Sequence, residues 1–219
     1  MSSPLVIDYY SDMLCVWAWI AQRRIDELNK CLGNKIDIRF HYLDVFGDAV
    51  TKIPTQWHDR GGYEGFSAHV IESASVYEDA HINEDIWTKT RPTSSATSHL
   101  VLKAIELSYS KGHSIELALK FRQAFFVDAL DISNIDILFS LIEQAELDTL
   151  EVNKTIIDGS AMAALMGNYQ QAKALGLKGS PTYIINNGRQ ILYGNVGYRV
   201  LLANIEELLK KPISEASWC

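Results

Sequence analysis

The chain has 219 residues, of which 47% are hydrophobic and 21% are charged. These values are typical of a folded globular protein, and the length suits one large domain or one domain with an insertion. The net charge of −7 argues against nucleic acid or an anionic membrane as the main partner, since both attract basic surfaces. The amino terminus has no basic segment followed by an apolar run, and no stretch approaches the roughly 18 apolar residues of a membrane span. We therefore expect a cytoplasmic protein.

The first part of the chain predicts a βαβ unit. Residues 4–10 form a β-branched and aromatic run, residues 17–31 carry apolar side chains at helical spacing, and residues 36–43 alternate between apolar and polar. The expected connection is a right-handed crossover between parallel strands. Residues 44–61 are rich in turn-forming residues and predict a loop.

The middle of the chain predicts only helices, separated by turn-forming or capping residues such as Lys111-Gly112-His113. The helical stretches are residues 64–77, 95–111, 114–126, 133–145 and 159–175. The pattern changes at Gly176. Residues 182–185 and 190–193 predict two strands joined by a hairpin turn at Asn186-Asn187-Gly188-Arg189, and a helix over 198–210 follows, with Pro212 after it.

This order of elements predicts an α/β fold with a helical insertion. The terminal ββα segment can complete the sheet that the βαβ unit begins, so that the helices between them form an inserted domain. We predict a core domain of residues 1–61 and 176–219 and a helical insertion domain of residues 62–175.

The three cysteines are Cys15, Cys31 and Cys219. A small, odd number argues against a disulfide scaffold. If residues 16–31 are helical, Cys15 and Cys31 lie about 24 Å apart, which is too far for a disulfide. Cys31 and Cys219 are therefore interpreted as a helix-end thiol and a tail thiol.

Cys15 lies between a predicted strand and a predicted helix. The unpaired N–H groups at a helix amino terminus favour the thiolate and lower the pKa of a thiol placed there, which suits a nucleophile. The alternative is a small buried cysteine that acts as a hydrophobic residue. Asp12, three residues earlier, either opposes thiolate formation or caps the helix, and we expect it to cap the helix.

Three other features bear on the site. Pro181 immediately precedes a strand, in the sequence Gly179-Ser180-Pro181-Thr182, where a cis peptide bond could form. Trp17 and Trp19 point roughly 200° apart on a helix, so one of them faces the insertion or a cleft near Cys15. The six histidines show no metal-binding spacing, and we predict no metal site.

Together, a strand, Ser-Asp-x-x-Cys-x-x-Ala at a helix start, a helical insertion and Gly-Ser-Pro-Thr before a hairpin resemble the DsbA-like branch of the thioredoxin superfamily. This branch includes DsbA-type disulfide oxidoreductases, cytosolic FrnE-like proteins, and 2-hydroxychromene-2-carboxylate isomerases with kappa-class glutathione transferases. The resemblance covers roughly residues 5–210. It implies a thioredoxin-like fold with an inserted α-helical domain.

The resemblance also implies roles for individual residues. Cys15 matches the attacking cysteine of a C-x-x-C motif. Pro181 matches the cis-proline that faces it, and Ser180 matches the residue whose backbone pairs with a peptide or with glutathione. The Ser94-Ser95 region and His99 match a zone that borders the pocket. A substrate or glutathione site would then be formed by Asp12, Trp17, Ala18, Ser180, Pro181, Ser94 and His99.

Ala18 departs from the family pattern, because it stands where the resolving cysteine should be. A C-x-x-C protein expels its substrate with the second thiol, so a second thiol must here come from glutathione, another protein or Cys219. We expect a cytosolic thiol-disulfide oxidoreductase with no permanently bound cofactor and with glutathione as co-substrate. A glutathione-dependent isomerase or transferase, and a peptide-binding module without chemistry, are the alternatives. The resemblance also allows a homodimer, for which the sequence specifies no interface.

Overall fold

The structure, a computed structural model, describes residues 3–210. Its sheet has four strands, β1 (Leu5–Ser11), β2 (Ile36–Tyr42), β3 (Thr182–Ile185) and β4 (Gln190–Tyr193), in the order β2-β1-β3-β4. β1 and β2 are parallel, and β3 is antiparallel to both β1 and β4. The predicted terminal strands therefore join the sheet that the βαβ unit begins, which confirms the α/β fold.

The helices in residues 3–210 are α1 (Val16–Leu32), α2 (Ala49–Gln56), α3 (Gly62–Ala74), α4 (Ala96–Ser108), α5 (Lys111–Phe126), α6 (Ile135–Glu143), α7 (Thr149–Ile157), α8 (Ser160–Ala174) and α9 (Tyr198–Leu209). Every strand of the described chain lies outside the segment from α2 to α8, so the strands come from the two ends of the sequence. The exact domain boundaries at residues 61 and 176 stay predictions. Pro212 and Cys219 lie outside the described residues.

The hairpin between β3 and β4 turns through residues with positive φ. Asn186 has φ of 53° and Asn187 has φ of 56°, which asparagine tolerates better than most residues. The turn brings β4 back beside β3 with Ile184 opposite Ile191. The predicted hairpin is confirmed.

The loop predicted over residues 44–61 is wrong, because this segment contains α2. The carboxylate of Asp48 accepts a hydrogen bond from the N–H of Thr51, which caps the helix. Ala49 and Ile53 are buried on its inner face. Pro54 lies inside the helix, where it removes one backbone donor. The cap and the buried face stabilise the eight-residue helix despite this loss.

Two further boundaries of the insertion differ from the prediction. Lys111-Gly112-His113 is not a turn but the first turn of α5, since the hydroxyl of Ser110 accepts a hydrogen bond from the N–H of His113. α7 was not predicted, and Asp148 caps it by accepting from the N–H of Leu150. In both helices a capping side chain defines the first residue of the helix.

One hydrophobic core runs from the sheet into the insertion, through residues such as Ile7, Ile25, Phe121 and Leu138. Trp19 of α1 stacks on Phe126 of α5 with ring centroids 5.7 Å apart, and its Nε1–H donates to the carbonyl of His81. Trp19 is therefore the tryptophan that faces the insertion. None of the helices in residues 3–210 is long and apolar enough to cross a membrane.

Candidate active site around Cys15

The loop between β1 and α1 carries Cys15 at the amino terminus of α1. Cys15 is the N-cap residue, with an extended backbone (φ −83°, ψ 118°). Its carbonyl accepts from the N–H groups of Ala18 and Trp19. The sequence begins its helix here because Val16, Ala18, Trp19 and Ile20 place a continuous apolar surface against the core.

The thiol of Cys15 is close to the segment that leads into β3. Only 6% of Cys15 is exposed, and Sγ donates to the carbonyl oxygen of Ser180 at 3.2 Å. The Ser180–Pro181 peptide bond is cis. The two segments that the sequence singled out, residues 12–18 and 179–182, therefore meet at Cys15.

Burial raises the pKa of the Cys15 thiol above its usual value. The hydrogen bond to Ser180 and the amides of Ala18 and Trp17 act in the opposite direction, and the charge of Asp12 raises the pKa further. The expectation of a lowered pKa, based on the helix amino terminus alone, is wrong for this structure. The helix amides do act on the thiol, but loss of contact with water outweighs them.

Asp12 lies under the loop and is fully buried. Its N–H donates to Oγ of Ser180, and its carboxylate accepts from the N–H groups of Leu14 and Phe46 and from the hydroxyl of Ser95. It does not cap α1, so that expectation is wrong. Burial raises the pKa of Asp12 to about 6 despite these three hydrogen bonds.

His99 supports the same loop from α4. Its Nε2 accepts from the N–H of Met13 at 3.1 Å, so Nδ1 carries the proton of the neutral ring and donates to the Tyr169 hydroxyl at 2.8 Å. Its ring stacks on that of Tyr42 with centroids 4.7 Å apart. Burial lowers the pKa of His99 to about 3, and the charge of Arg122 adds to this effect. His99 is therefore neutral at physiological pH and acts through the backbone of the loop.

The remaining predicted site residues differ in burial and in hydrogen-bond partners. Ala18 is fully buried and Trp17 is half-buried, on the first turn of α1. The hydroxyl of Ser94 donates to the carbonyl of Gly47 and not to the Cys15 loop. Its neighbour Ser95 is the residue that reaches the site, through Asp12.

Sequence reasoning did not find the contributions of Phe46 and Tyr169. Phe46 contributes only a backbone amide, which the sequence cannot distinguish from any other. Tyr169 contributes a hydroxyl from α8, 70 residues after its partner His99. In the sequence, Tyr169 is one polar aromatic residue on a predicted helix, and this pattern does not indicate which residue its hydroxyl contacts.

The described chain offers no second thiol beside Cys15. Ala18 has none, and the other cysteine in residues 3–210, Cys31, is exposed in the last turn of α1. The same residues contain no group of three or more histidine, cysteine or acidic side chains placed to hold a metal ion.

A cysteine at the amino terminus of the first helix, opposite the loop that precedes an antiparallel strand, defines a thioredoxin-like protein. The sequence model of the DSBA-like thioredoxin domain matches residues 6–206, and the chain belongs to this family.

The chain is also similar to individual known proteins. The ClpXP adapter protein SpxH from Halalkalibacterium halodurans is 26% identical over 94% of this chain and 68% of its own length. A candidate protein disulfide isomerase from Nitrosomonas europaea has a TM-score of 0.79 at 13% identity, over 95% of this chain and 99% of that one. The cytosolic disulfide reductase DsbM from Pseudomonas aeruginosa has a TM-score of 0.69 at 19% identity, over 93% and 100%. At these identities the two structures show a shared fold.

Proposed function

We propose that this protein is a thiol-disulfide oxidoreductase that works through Cys15 alone, with glutathione as the second thiol. The observation that carries the proposal is the position of the Cys15 sulfur. It lies at the amino terminus of α1, 3.2 Å from the carbonyl oxygen of Ser180. A disulfide substrate that replaces this contact would meet the sulfur and the backbone of Ser180 together, in the manner of an added strand.

The chemistry has two balanced exchange steps. The thiolate of Cys15 attacks a mixed disulfide between a protein and glutathione, forms a Cys15–glutathione disulfide and releases the protein thiolate. A second glutathione thiolate then attacks the glutathione sulfur of that intermediate. It forms oxidised glutathione and returns Cys15 as a thiolate, so that two electrons pass from glutathione to the protein substrate.

An external thiol is proposed because Ala18 replaces the residue that would supply an internal one. Cys31 lies at the far end of α1, about 24 Å away for 16 residues of helix. A structure of the related DsbM contains GSH, and DsbM is described as cytosolic. We propose a cytoplasmic location for this chain as well, because that compartment supplies reduced glutathione.

The raised pKa of Cys15 sets the expected pH dependence. Only the thiolate attacks, so the rate of exchange rises with pH through the neutral range and beyond the pH at which an ordinary cysteine has levelled off. The burial that raises the pKa also protects the resting thiol from oxidation.

A protein-binding module without chemistry is the second candidate. It is favoured by two observations: only 6% of Cys15 is exposed, and its thiol is already hydrogen-bonded to the carbonyl of Ser180. A thiol in this state can serve as a buried packing group without reacting. The relative SpxH is named as an adapter protein, a role that depends on binding rather than on exchange.

The test measures Cys15 directly in a Cys31→Ser, Cys219→Ser background. The rate of alkylation by iodoacetamide is followed against pH, and intact mass is measured after exposure to oxidised glutathione. We expect one glutathione adduct, absent in Cys15→Ser, and an alkylation midpoint above the value of about 8.5 for a free cysteine.

Other outcomes separate the alternatives. Protection of Cys15 by reduced glutathione without an adduct would favour an isomerase or transferase that only activates bound glutathione. A thiol that reacts only after the protein unfolds would overturn the oxidoreductase and leave the binding module.

A further inference from the structure

Arg122 places a positive charge in the interior next to the Cys15 site. It belongs to α5 and its side chain is fully buried. Its Nη1 donates to Oε1 of Gln22 at 3.1 Å and its Nη2 to Oγ of Ser11 at 2.8 Å. No carboxylate of residues 3–210 pairs with it, and its Nε has no hydrogen-bond partner among them. A buried charge without a counter-charge is costly, so its presence needs an explanation.

The two acceptors of Arg122 lie on either side of Cys15 along the chain. Ser11 is the last residue of β1, and Gln22 lies in α1, two turns after Cys15. Between them is the loop that carries the thiol. We propose that Arg122 is a positioning residue for Cys15, because its guanidinium fixes the strand end and the helix turn between which the Cys15 loop is held.

The charge of Arg122 acts on this loop a second time, through His99. It lowers the pKa of His99 in addition to the effect of burial. The other groups that face the His99 ring are the Tyr42 ring, the Tyr169 hydroxyl and the Met13 amide, and none of them carries a charge at neutral pH. A neutral His99 can accept from Met13, whereas a protonated one cannot.

Arginine suits this pair of contacts better than lysine does. Its donors diverge in a fixed plane and can reach two acceptors on different elements, whereas the single ammonium of lysine is a point charge. Arg122→Lys therefore separates the charge from the two hydrogen bonds. Arg122→Met removes both while it keeps an apolar side chain of similar length.

The test is the alkylation of Cys15 by iodoacetamide under native conditions, with the His99 ring followed by NMR. The proposal rests on the proposed function only in taking Cys15 as the reactive group. Alkylation is measured without glutathione, so it reports how well the Cys15 thiol is held whether or not thiol-disulfide exchange occurs.

In Arg122→Met we expect the Cys15 loop to loosen and the thiol to gain contact with water. Alkylation at pH 7 should then accelerate by about tenfold, which corresponds to a decrease of one unit in the pKa of Cys15. His99 then titrates at a higher pH than in the wild type. In Arg122→Lys the His99 titration stays as in the wild type, and the acceleration is smaller.

A matched control separates positioning from general stability. Ile142→Ala removes a fully buried side chain of α6 that is absent from the hydrogen-bond network of the Cys15 loop, and it should keep wild-type alkylation despite a lower unfolding midpoint. Equal acceleration in Ile142→Ala and Arg122→Met would overturn the proposal, as would wild-type alkylation in a folded Arg122→Met.

A second pair of variants tests the proposal if Arg122→Met does not fold. Ser11→Ala and Gln22→Leu each remove one acceptor of Arg122 and leave its charge. Both should accelerate alkylation without moving the His99 titration, and wild-type rates in both would refute the role.

Discussion

The carboxyl group of Asp12 holds three separate segments of the chain together. It accepts from Leu14 in the Cys15 loop, from Phe46 after β2 and from Ser95 at the start of α4, all at 2.8–2.9 Å. Three donors usually lower the pKa of a carboxylate, yet the pKa of Asp12 is raised to about 6 because the group is fully buried. The side chain is therefore well bonded but poorly solvated.

The ionisation of Asp12 should make the stability of the protein depend on pH. The folded chain holds the proton up to about pH 6, whereas the unfolded chain releases it near pH 3.9. Between these values the folded state binds more protons, so the free energy of unfolding falls as the pH rises, by about 2–3 kcal/mol in total. Asp12→Asn cannot ionise and should lack this contribution. The measurement is urea unfolding of both proteins from pH 4 to 7, and a wild-type-minus-variant difference that does not change with pH would contradict it.

Ala18 decides whether the site can resolve its own mixed disulfide. It lies three residues after Cys15, on the same turn, and its N–H donates to the Cys15 carbonyl. Ala18→Cys should restore a C-x-x-C pair, so that mild oxidation yields an internal disulfide and the glutathione adduct on Cys15 is lost. Intact mass with and without reductant measures both, and Ala18→Ser is the control for size and polarity. A persistent glutathione adduct in Ala18→Cys would show that the second thiol cannot reach Cys15.

The sequence predicted which residues meet at the site better than it predicted their chemical state. Cys15, Asp12, Ser180, Pro181 and His99 were all expected there, and the hydrogen bonds join the loop to Ser180 and to His99. The sequence predicted a lowered pKa for Cys15, whereas burial raises it. The position of Cys15 at a helix start can be predicted from local spacing, but its burial depends on segments as far as 165 residues away. Of the two serines in the predicted Ser94-Ser95 region, Ser95 donates to Asp12 and Ser94 donates to Gly47, a choice that the sequence pattern does not show.

At the scale of elements, strands were easier to predict than short helices. All four strands of the described chain were found, since alternation and the asparagine-rich turn are local signals. α2 and α7, of eight and nine residues, are too short to be stable alone. Their formation depends on packing against the rest of the chain, which the sequence pattern does not show.

Trp19 connects α1 to the insertion, and its loss should weaken that connection. Trp19→Ala removes the stack on Phe126 and should cost about 3–5 kcal/mol of unfolding free energy. Trp19→Phe keeps a ring but leaves the His81 carbonyl without its donor, for about 1 kcal/mol. Trp17→Ala, two positions earlier and only half-buried, is the matched control and should cost less than Trp19→Ala. Urea denaturation measures all three, and an equal loss at both positions would contradict the assignment of the inner face.

At the scale of the whole molecule, the insertion and the sheet share one apolar core. The same cluster of buried side chains includes Ile7 of β1 and Leu138 of α6. Polar contacts cross between the two parts as well, from Arg122 to Ser11 and from His99 to Met13. The site is formed by contributions from both parts, so we expect the loss of structure in either part to expose Cys15.

This shared core predicts that the molecule unfolds as one cooperative unit. Leu138→Ala in the insertion and Ile7→Ala in the sheet each remove a fully buried side chain and should each cost about 2–5 kcal/mol. In both variants the loss of helical circular dichroism and the exposure of Cys15 to alkylation should occur at the same urea concentration, as two-state unfolding requires. If the insertion were independent, Leu138→Ala would lose helical signal first while Cys15 stayed protected. Coincident transitions in both variants would therefore show that the insertion is part of what holds the thiol in place.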